Sequence, residues 1–163
     1  MESIDYLKLA YETAMKYSTD PSTQNGAVLV SPEGKILSVA ANHFPKGVQE
    51  SKERWERPLK YSFVEHAERN VIYKAARDGF KTEGATMYCP FFACADCGRA
   101  IIQAGIKKVV GHTIPEEAAT HEAWLATIDV ALQMFKEAGI EYEYIRQSIG
   151  GLEVLRNGKK LNP

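Results

Sequence analysis

The sequence predicts an α/β fold: a five-stranded mixed sheet, made of an N-terminal antiparallel hairpin extended by parallel strands, with helices on both faces. Three observations carry this. Two apolar runs, 26–31 and 36–42, flank the turn residues Pro32, Glu33, Gly34 and Lys35, which is a hairpin pattern. The joints Ala104-Gly105-Ile106 and Ala138-Gly139-Ile140 repeat one device, a helix closed by glycine and followed by a strand. Strand–helix–strand units of this kind make parallel strands through right-handed crossovers. Finally, 163 residues with 45% hydrophobic and 25% charged side chains suit one domain able to bury a core.

In order, Ile4, Leu7, Tyr11, Ala14 and Met15 recur at helical spacing, so 3–17 reads as a helix with Ser3 as its N-cap. A polar loop, 18–25, leads into the hairpin. From 43 to 60 the pattern disappears. This stretch holds Pro45, Gly47 and Pro58 and many charges, and connections this long are usually functional or mobile. It reads either as a solvated loop or as a lid that supplies cations to a phosphate. A helix over 65–78 follows, stopped by Gly79; the capping-box spacing of Ser62 and Glu65 allows a start one turn earlier. Then come a strand (85–89), a short helix (94–104), a strand (106–111), a helix (116–138) and a strand (140–145). The tail reads as a small hairpin, with Asn157-Gly158 as its turn, or as an intersubunit arm. The organisation is a domain over 1–145 and a tail over 146–163.

Twenty basic and 21 acidic residues give a net charge of −1. Tracking a polynucleotide needs a basic stripe, so the balance argues against one, whereas a mononucleotide needs only one or two local cations. No apolar run approaches 18 residues and the first residues are acidic and amphipathic, so no membrane span or signal peptide is expected. The expected location is cytoplasmic, where cysteines stay reduced. Three cysteines, two of them in C-x-x-C, are then metal ligands or redox thiols.

Two stretches carry chemistry: His66-Ala67-Glu68, and Cys94-Ala95-Asp96-Cys97. Together they supply one imidazole and two thiols, the ligand set of a Zn²⁺ with an open fourth position for water. Glu68 is a carboxylate placed to move that water's protons. His66 and Glu68 are two apart and converge only if a helix N-terminus faces the metal. Cys94 and Cys97 fall on one face of a first turn. The competing readings are a redox pair, which leaves the His66/Glu68 stretch unexplained, and a structural zinc, which wants a fourth Cys or His. Cys89 is the spare cysteine and reads as a small hydrophobe in a strand.

With these motifs the chain resembles the zinc-dependent cytidine/deoxycytidylate deaminase superfamily, and within it the dCMP deaminases. The likeness runs from about 17 to 145. Its pieces are the loop Asp20-Pro21-Ser22-Thr23-Gln24, the stretch Asn42-His43-Phe44-Pro45-Lys46-Gly47, the His66-Ala67-Glu68 motif, and the block from Phe92 to Ile106. The resemblance implies a cytidine-deaminase-like three-layer α/β/α fold. It implies one Zn²⁺ on His66, Cys94 and Cys97, with Glu68 as proton shuttle: hydroxide attacks C4 of cytosine, Glu68 protonates N3, and ammonia leaves. It implies dCMP as substrate, feeding thymidylate synthesis, and a homo-oligomer, a hexamer in the family. It also implies dCTP and dTTP as effectors, with Mg²⁺ accompanying the triphosphate. Asn42 stands where the family has a substrate-contacting asparagine, and Phe92 where an aromatic packs on the base; a turn asparagine and a core aromatic are the competing readings. For the phosphate, Lys46, Arg54, Arg57 and Lys60 are the candidate cations, and the 18–24 loop adds hydroxyls and a backbone nest.

The chain departs from the family at three places. Ala93, not proline, precedes the first zinc cysteine. Ala40-Ala41-Asn42-His43 replaces a Gly-Tyr-Asn-Gly stretch, adding side chains where an effector would approach; His43 reads either as an effector-site or pocket change or as a solvent-exposed loop residue. Asn25 occupies a position that is usually apolar. The alternatives to a dCMP deaminase are a same-fold deaminase of another amino-heterocycle, nucleoside or modified nucleotide, and a nucleotide-binding regulatory protein with a silent zinc site.

Overall fold

The computed structural model describes residues 1–112 and 122–163. The chain runs α1 (Ser3–Tyr17), β1 (Gly26–Val30), β2 (Ile36–Ala41), a 3-10 turn (Glu53–Trp55), α2 (Lys60–Phe63), α3 (Ala67–Arg77), β3 (Thr86–Tyr88), α4 (Ala95–Gln103), β4 (Lys108–His112), α5 (Glu122–Ala138), β5 (Glu141–Ile145), β6 (Val154–Arg156) and β7 (Lys159–Leu161). The expected helix start at 116–121 lies outside the described residues.

The sheet order is β2-β1-β3-β4-β5. β1 pairs antiparallel with both β2 and β3, and β3, β4 and β5 run parallel, so the expected mixed sheet is present. Every residue of β1 is buried, because alternate side chains serve opposite layers. Val28 and Val30 pack with Tyr6, Leu7 and Ala10 of α1. Ala27 and Leu29 pack with Val71 and Ala75 of α3, Ile101 of α4 and Phe135 of α5. The result is three layers: α1 on one face, and α3, α4 and α5 on the other. Fully buried side chains such as Leu7, Ile101 and Phe135 each contribute about 1.5–3 kcal/mol by leaving water.

Local chemistry shifts several expected boundaries. The N-cap of α1 is Glu2, not Ser3, because Glu2 and Asp5 satisfy each other's backbone N–H groups in a reciprocal box. The buried stripe of α1 is Tyr6, Leu7, Ala10, Tyr11 and Ala14, and Met15 is exposed. Ser62 does not cap the helix that follows; it lies inside the separate helix α2. Between α2 and α3 the Glu65 backbone pairs with His43 (N to O, 2.9 Å one way and 3.3 Å the other), which draws the chain out of helix and leaves His66 extended as the N-cap of α3. At the C-terminal ends of α4 and α5, Gly105 and Gly139 have φ of 72° and 70°, the left-handed closure expected of these joints.

The 43–60 connection is ordered around an aromatic plug. Phe44 is buried, with ring centroids 4.3 Å from Trp55 and 5.5 Å from Phe63. The tail forms the hairpin β6–β7, with Asn157 and Gly158 both at positive φ, as a two-residue turn needs. It folds back onto the 18–25 loop of the same chain. The Gln24 backbone and side chain bond Leu155, the Thr23 hydroxyl accepts from the Asn157 N–H, and the Ser22 carbonyl accepts from Gly158. Val154 is buried with Tyr11, Ala14 and Phe91. Among the described residues no helix is long and apolar enough to cross a membrane.

Candidate active site

The N-terminal ends of α3 and α4 meet. His66 caps α3 and Cys94 caps α4, both with extended backbones, while Glu68 and Cys97 lie in the respective first turns. His66 Nδ1 is 3.7 Å from Cys94 Sγ and 3.5 Å from Cys97 Sγ. Zn–N and Zn–S bonds of roughly 2.0 and 2.3 Å at a tetrahedral angle put such atoms roughly 3.6 Å apart. The three donors therefore fit a zinc ion, and they are the one such cluster among the described residues.

The electrostatics suit a cation. Helix N-termini carry partial positive charge that favours thiolate. Hydrogen bonding with Cys97, opposed by burial and helped by His66, pulls the Cys94 thiol down to about 4. The same interaction, with burial, pushes Cys97 up, so the two sulfurs share their first negative charge. Arg69 Nη1 lies 3.8 Å from Cys97 Sγ, and the same guanidinium is bonded to Glu65. Burial opposes the Arg69 charge, and Cys97 and Glu65 outweigh it. Glu68 is 3% exposed, and burial pushes its carboxyl up. Its Oε2 has no hydrogen-bond partner among the described residues.

His66 and Glu68 line a cavity of about 110 Å³. Phe92 also lines it, with its ring 5.0 Å from Tyr144 and 6.0 Å from Tyr142. Asn42 lines it too, yet its amide is fully engaged inside the protein. Oδ1 accepts from Ser18 Oγ (2.7 Å) and Asn25 N (2.8 Å), and Nδ2 donates to Thr23 O (2.7 Å) and Asp20 Oδ2 (3.2 Å). Asn25 lines the cavity and is 9% exposed; Nδ2 donates to Cys89 Sγ at 3.3 Å, and Oδ1 has no partner among the described residues. Cys89 itself is sealed in the core, and burial pushes its thiol up.

The four candidate cations separate. Arg57 and Lys60 line the cavity. Lys60 is buried against Asp20 at 2.6 Å. Lys46 is exposed and does not line it. Arg54 donates to Gln49 O at 2.7 Å and lies over the Phe63 ring, which removes it from the cavity. His43 is neither a cavity residue nor solvent-exposed: it is half-buried, with Nδ1 2.6 Å from Phe44 O and Nε2 accepting from Asn70 at 3.4 Å. The sequence reading missed Arg156 and Asn157, which line the cavity from the C-terminal hairpin. The Asn157-Gly158 turn marks a hairpin, but no local pattern tells where it docks.

Residues 1–113 match the family described as the cytidine and deoxycytidylate deaminase zinc-binding region. The chain is 38% identical over 135 residues to an uncharacterized deaminase in the luxG 3′ region of Aliivibrio fischeri, covering 82% of this chain and 87% of that protein. It is 35% identical over 111 residues to the deoxycytidylate deaminase of Homo sapiens, covering 64% of this chain and 61% of that one. Its fold is similar to the dCMP deaminase of cyanophage S-TIM5 solved with dCMP and dUMP, with a TM-score of 0.64 and 28% identity over 86% of this chain and 94% of that one. With the match to residues 1–113 and the His66/Cys94/Cys97 cluster, this chain belongs to the cytidine and deoxycytidylate deaminase zinc-binding family.

Proposed function

We propose that this chain is a zinc-dependent hydrolase that converts dCMP and water to dUMP and ammonia. The observation that carries the reading is Glu68, a buried carboxylate with one oxygen unpartnered among the described residues, set in the turn after His66 and lining the same cavity. His66, Cys94 and Cys97 would hold the zinc, which supplies Lewis acidity to a water. Glu68 takes a proton from the attacking water, delivers it to N3 of the base, and serves the departing amino group in turn. Burial raises the Glu68 pKa, which suits a group that must both accept and return a proton. Among the described residues Asn25 Oδ1 and Glu68 Oε2 are unpartnered acceptors on two side chains that line the cavity, a character suited to an amino-substituted base. Phe92 offers an aromatic face for that base. The S-TIM5 enzyme solved with dCMP and dUMP, and relatives named deoxycytidylate deaminase, support dCMP as the substrate.

The reading takes the enzyme as a cytoplasmic homo-oligomer, with residues 1–145 as the main catalytic domain and the 146–163 hairpin adding Arg156 and Asn157 to its cavity. Control by dCTP or dTTP with Mg²⁺ is a separate matter. Ala40 and Ala41 are packed in the sheet and His43 is tied to Glu65, so little of that segment is open to an effector. Steady-state ammonia release from dCMP, CMP, deoxycytidine and cytosine, with and without dCTP and dTTP, tests the substrate and the effector response. Turnover of dCMP well above the other three is the expected result. Zinc-loaded protein that turns over none of them would sink the proposal.

A further inference from the structure

Among the described residues, two of the three cations that line the cavity lack a carboxylate partner. Lys60 is neutralised by Asp20 at 2.6 Å and also donates to Ser22 Oγ at 3.1 Å. Arg57 and Arg156 form no ion pair among the described residues. Arg57 is exposed, and water can serve it. Arg156 is different. It is half-buried, its Nη1 is shut off from water, and that nitrogen has no hydrogen-bond partner among the described residues. Its guanidinium lies 4.3 Å over the ring of Phe91, another cavity residue. The ring accounts for one face of the guanidinium. It does nothing for the in-plane N–H donors, which are the groups that bond oxygen. Burial lowers the Arg156 pKa to about 10, so the surroundings disfavour a charge that is nonetheless held there. A buried donor left unmade is costly, and more so when charged. Nη1 itself is sealed from the cavity, so an anion that enters would meet the other guanidinium N–H donors and balance a charge that has no carboxylate partner among the described residues.

The geometry points to Arg156 as a phosphate-binding residue of the substrate cavity, delivered by the C-terminal hairpin, with Arg57 as the second uncompensated cation. Two cations suit the roughly −1.5 to −2 charge of a phosphate monoester at neutral pH, and a planar guanidinium suits two of its oxygens. The hairpin lies beyond residues 1–113, so this contact is not part of what the family match covers. Its anchoring is independent of the guanidinium: Val154 is buried, and the backbones of Leu155, Asn157 and Gly158 bond the 18–25 loop. The tail is thereby a working part of the cavity, and the cavity is incomplete without it.

The inference rests on the dCMP reading for the identity of the ligand but not for its charge, and the test separates the two. Wild type, Arg156→Gln and Arg156→Lys are titrated calorimetrically with dUMP, deoxyuridine and inorganic phosphate, and their urea midpoints are compared. The wild type should bind dUMP more tightly than deoxyuridine. Arg156→Gln should weaken dUMP by about 10- to 100-fold and leave deoxyuridine within about twofold. Arg156→Lys, which keeps charge but loses the fork, should fall between. Equal weakening of dUMP and deoxyuridine, or an unchanged dUMP affinity, overturns the assignment, because a merely structural arginine does not distinguish the two ligands. If the wild type fails to turn over dCMP while Arg156→Gln still abolishes binding of inorganic phosphate, the substrate reading falls and Arg156 stands.

Discussion

Lys60 Nζ lies 2.6 Å from Asp20 Oδ2, and the two side chains are only 7% and 2% exposed. The other Asp20 oxygen accepts the backbone N–H groups of Ser22 and Thr23, at 2.9 and 3.1 Å. The pair thus fastens α2 to the loop that carries the C-terminal hairpin. Removing one partner strands a buried charge, so Lys60→Met should cost about 3–5 kcal/mol in urea denaturation, and adding Asp20→Asn should recover part of it. A loss below about 1 kcal/mol for Lys60→Met would mean that water already serves Asp20.

Asn42 makes an opposite demand on the same loop. Its Nδ2 donates to Asp20 Oδ2 and Thr23 O, and its Oδ1 accepts from Asn25 N and Ser18 Oγ. Asn42→Ala leaves buried groups unmade and should lose about 1–3 kcal/mol. Asn42→Asp, though nearly isosteric, brings a second carboxylate against Asp20 and should be destabilised as well. Chemical denaturation of both variants checks this, and an aspartate variant as stable as the wild type would show that the donor bonds contribute nothing.

α1 approaches β1 so closely at Gly26 that a methyl there would overlap the Ala10 carbonyl. Gly26→Ala should therefore cost about 1–3 kcal/mol as α1 is displaced. A thermal midpoint equal to wild type would show that α1 slides freely over the sheet.

Metal content separates the three cysteines. Cys97→Ala should lose zinc by elemental analysis, whereas Cys89→Ala should keep it, since Cys89 lies outside the His66/Cys94/Cys97 cluster. Stoichiometric zinc in Cys97→Ala would remove that residue from the ligand set.

Much of the fold was legible because its signals are local. The turn around Gly34, the glycine joints at 105 and 139, and the apolar run of β1 each act within a few residues. The metal cluster was legible because its ligands come in two short motifs at helix starts. What stayed hidden depends on contacts distant in sequence. Lys60 sits in a charged stretch and reads as a solvated or a phosphate-binding cation, yet Asp20, 40 positions earlier, pairs with it in a buried contact. Arg54, from the same stretch, is held by Phe63 and Gln49 instead. Ser62 and Glu65 have capping-box spacing, but pairing of Glu65 with His43 overrides it. Arg156 shows no pattern of its own, and only docking of the hairpin on Thr23 and Gln24 brings it to the cavity.

The central claim is that Glu68 moves protons in a zinc-dependent deamination of dCMP. The most direct measurement is ammonia release from dCMP by Glu68→Gln, with zinc quantified in the same preparation. Glutamine is close in shape but cannot shuttle a proton at neutral pH. The account predicts full zinc occupancy and a kcat reduced by about 10²- to 10⁴-fold. Full zinc with a kcat within about tenfold of wild type would contradict it.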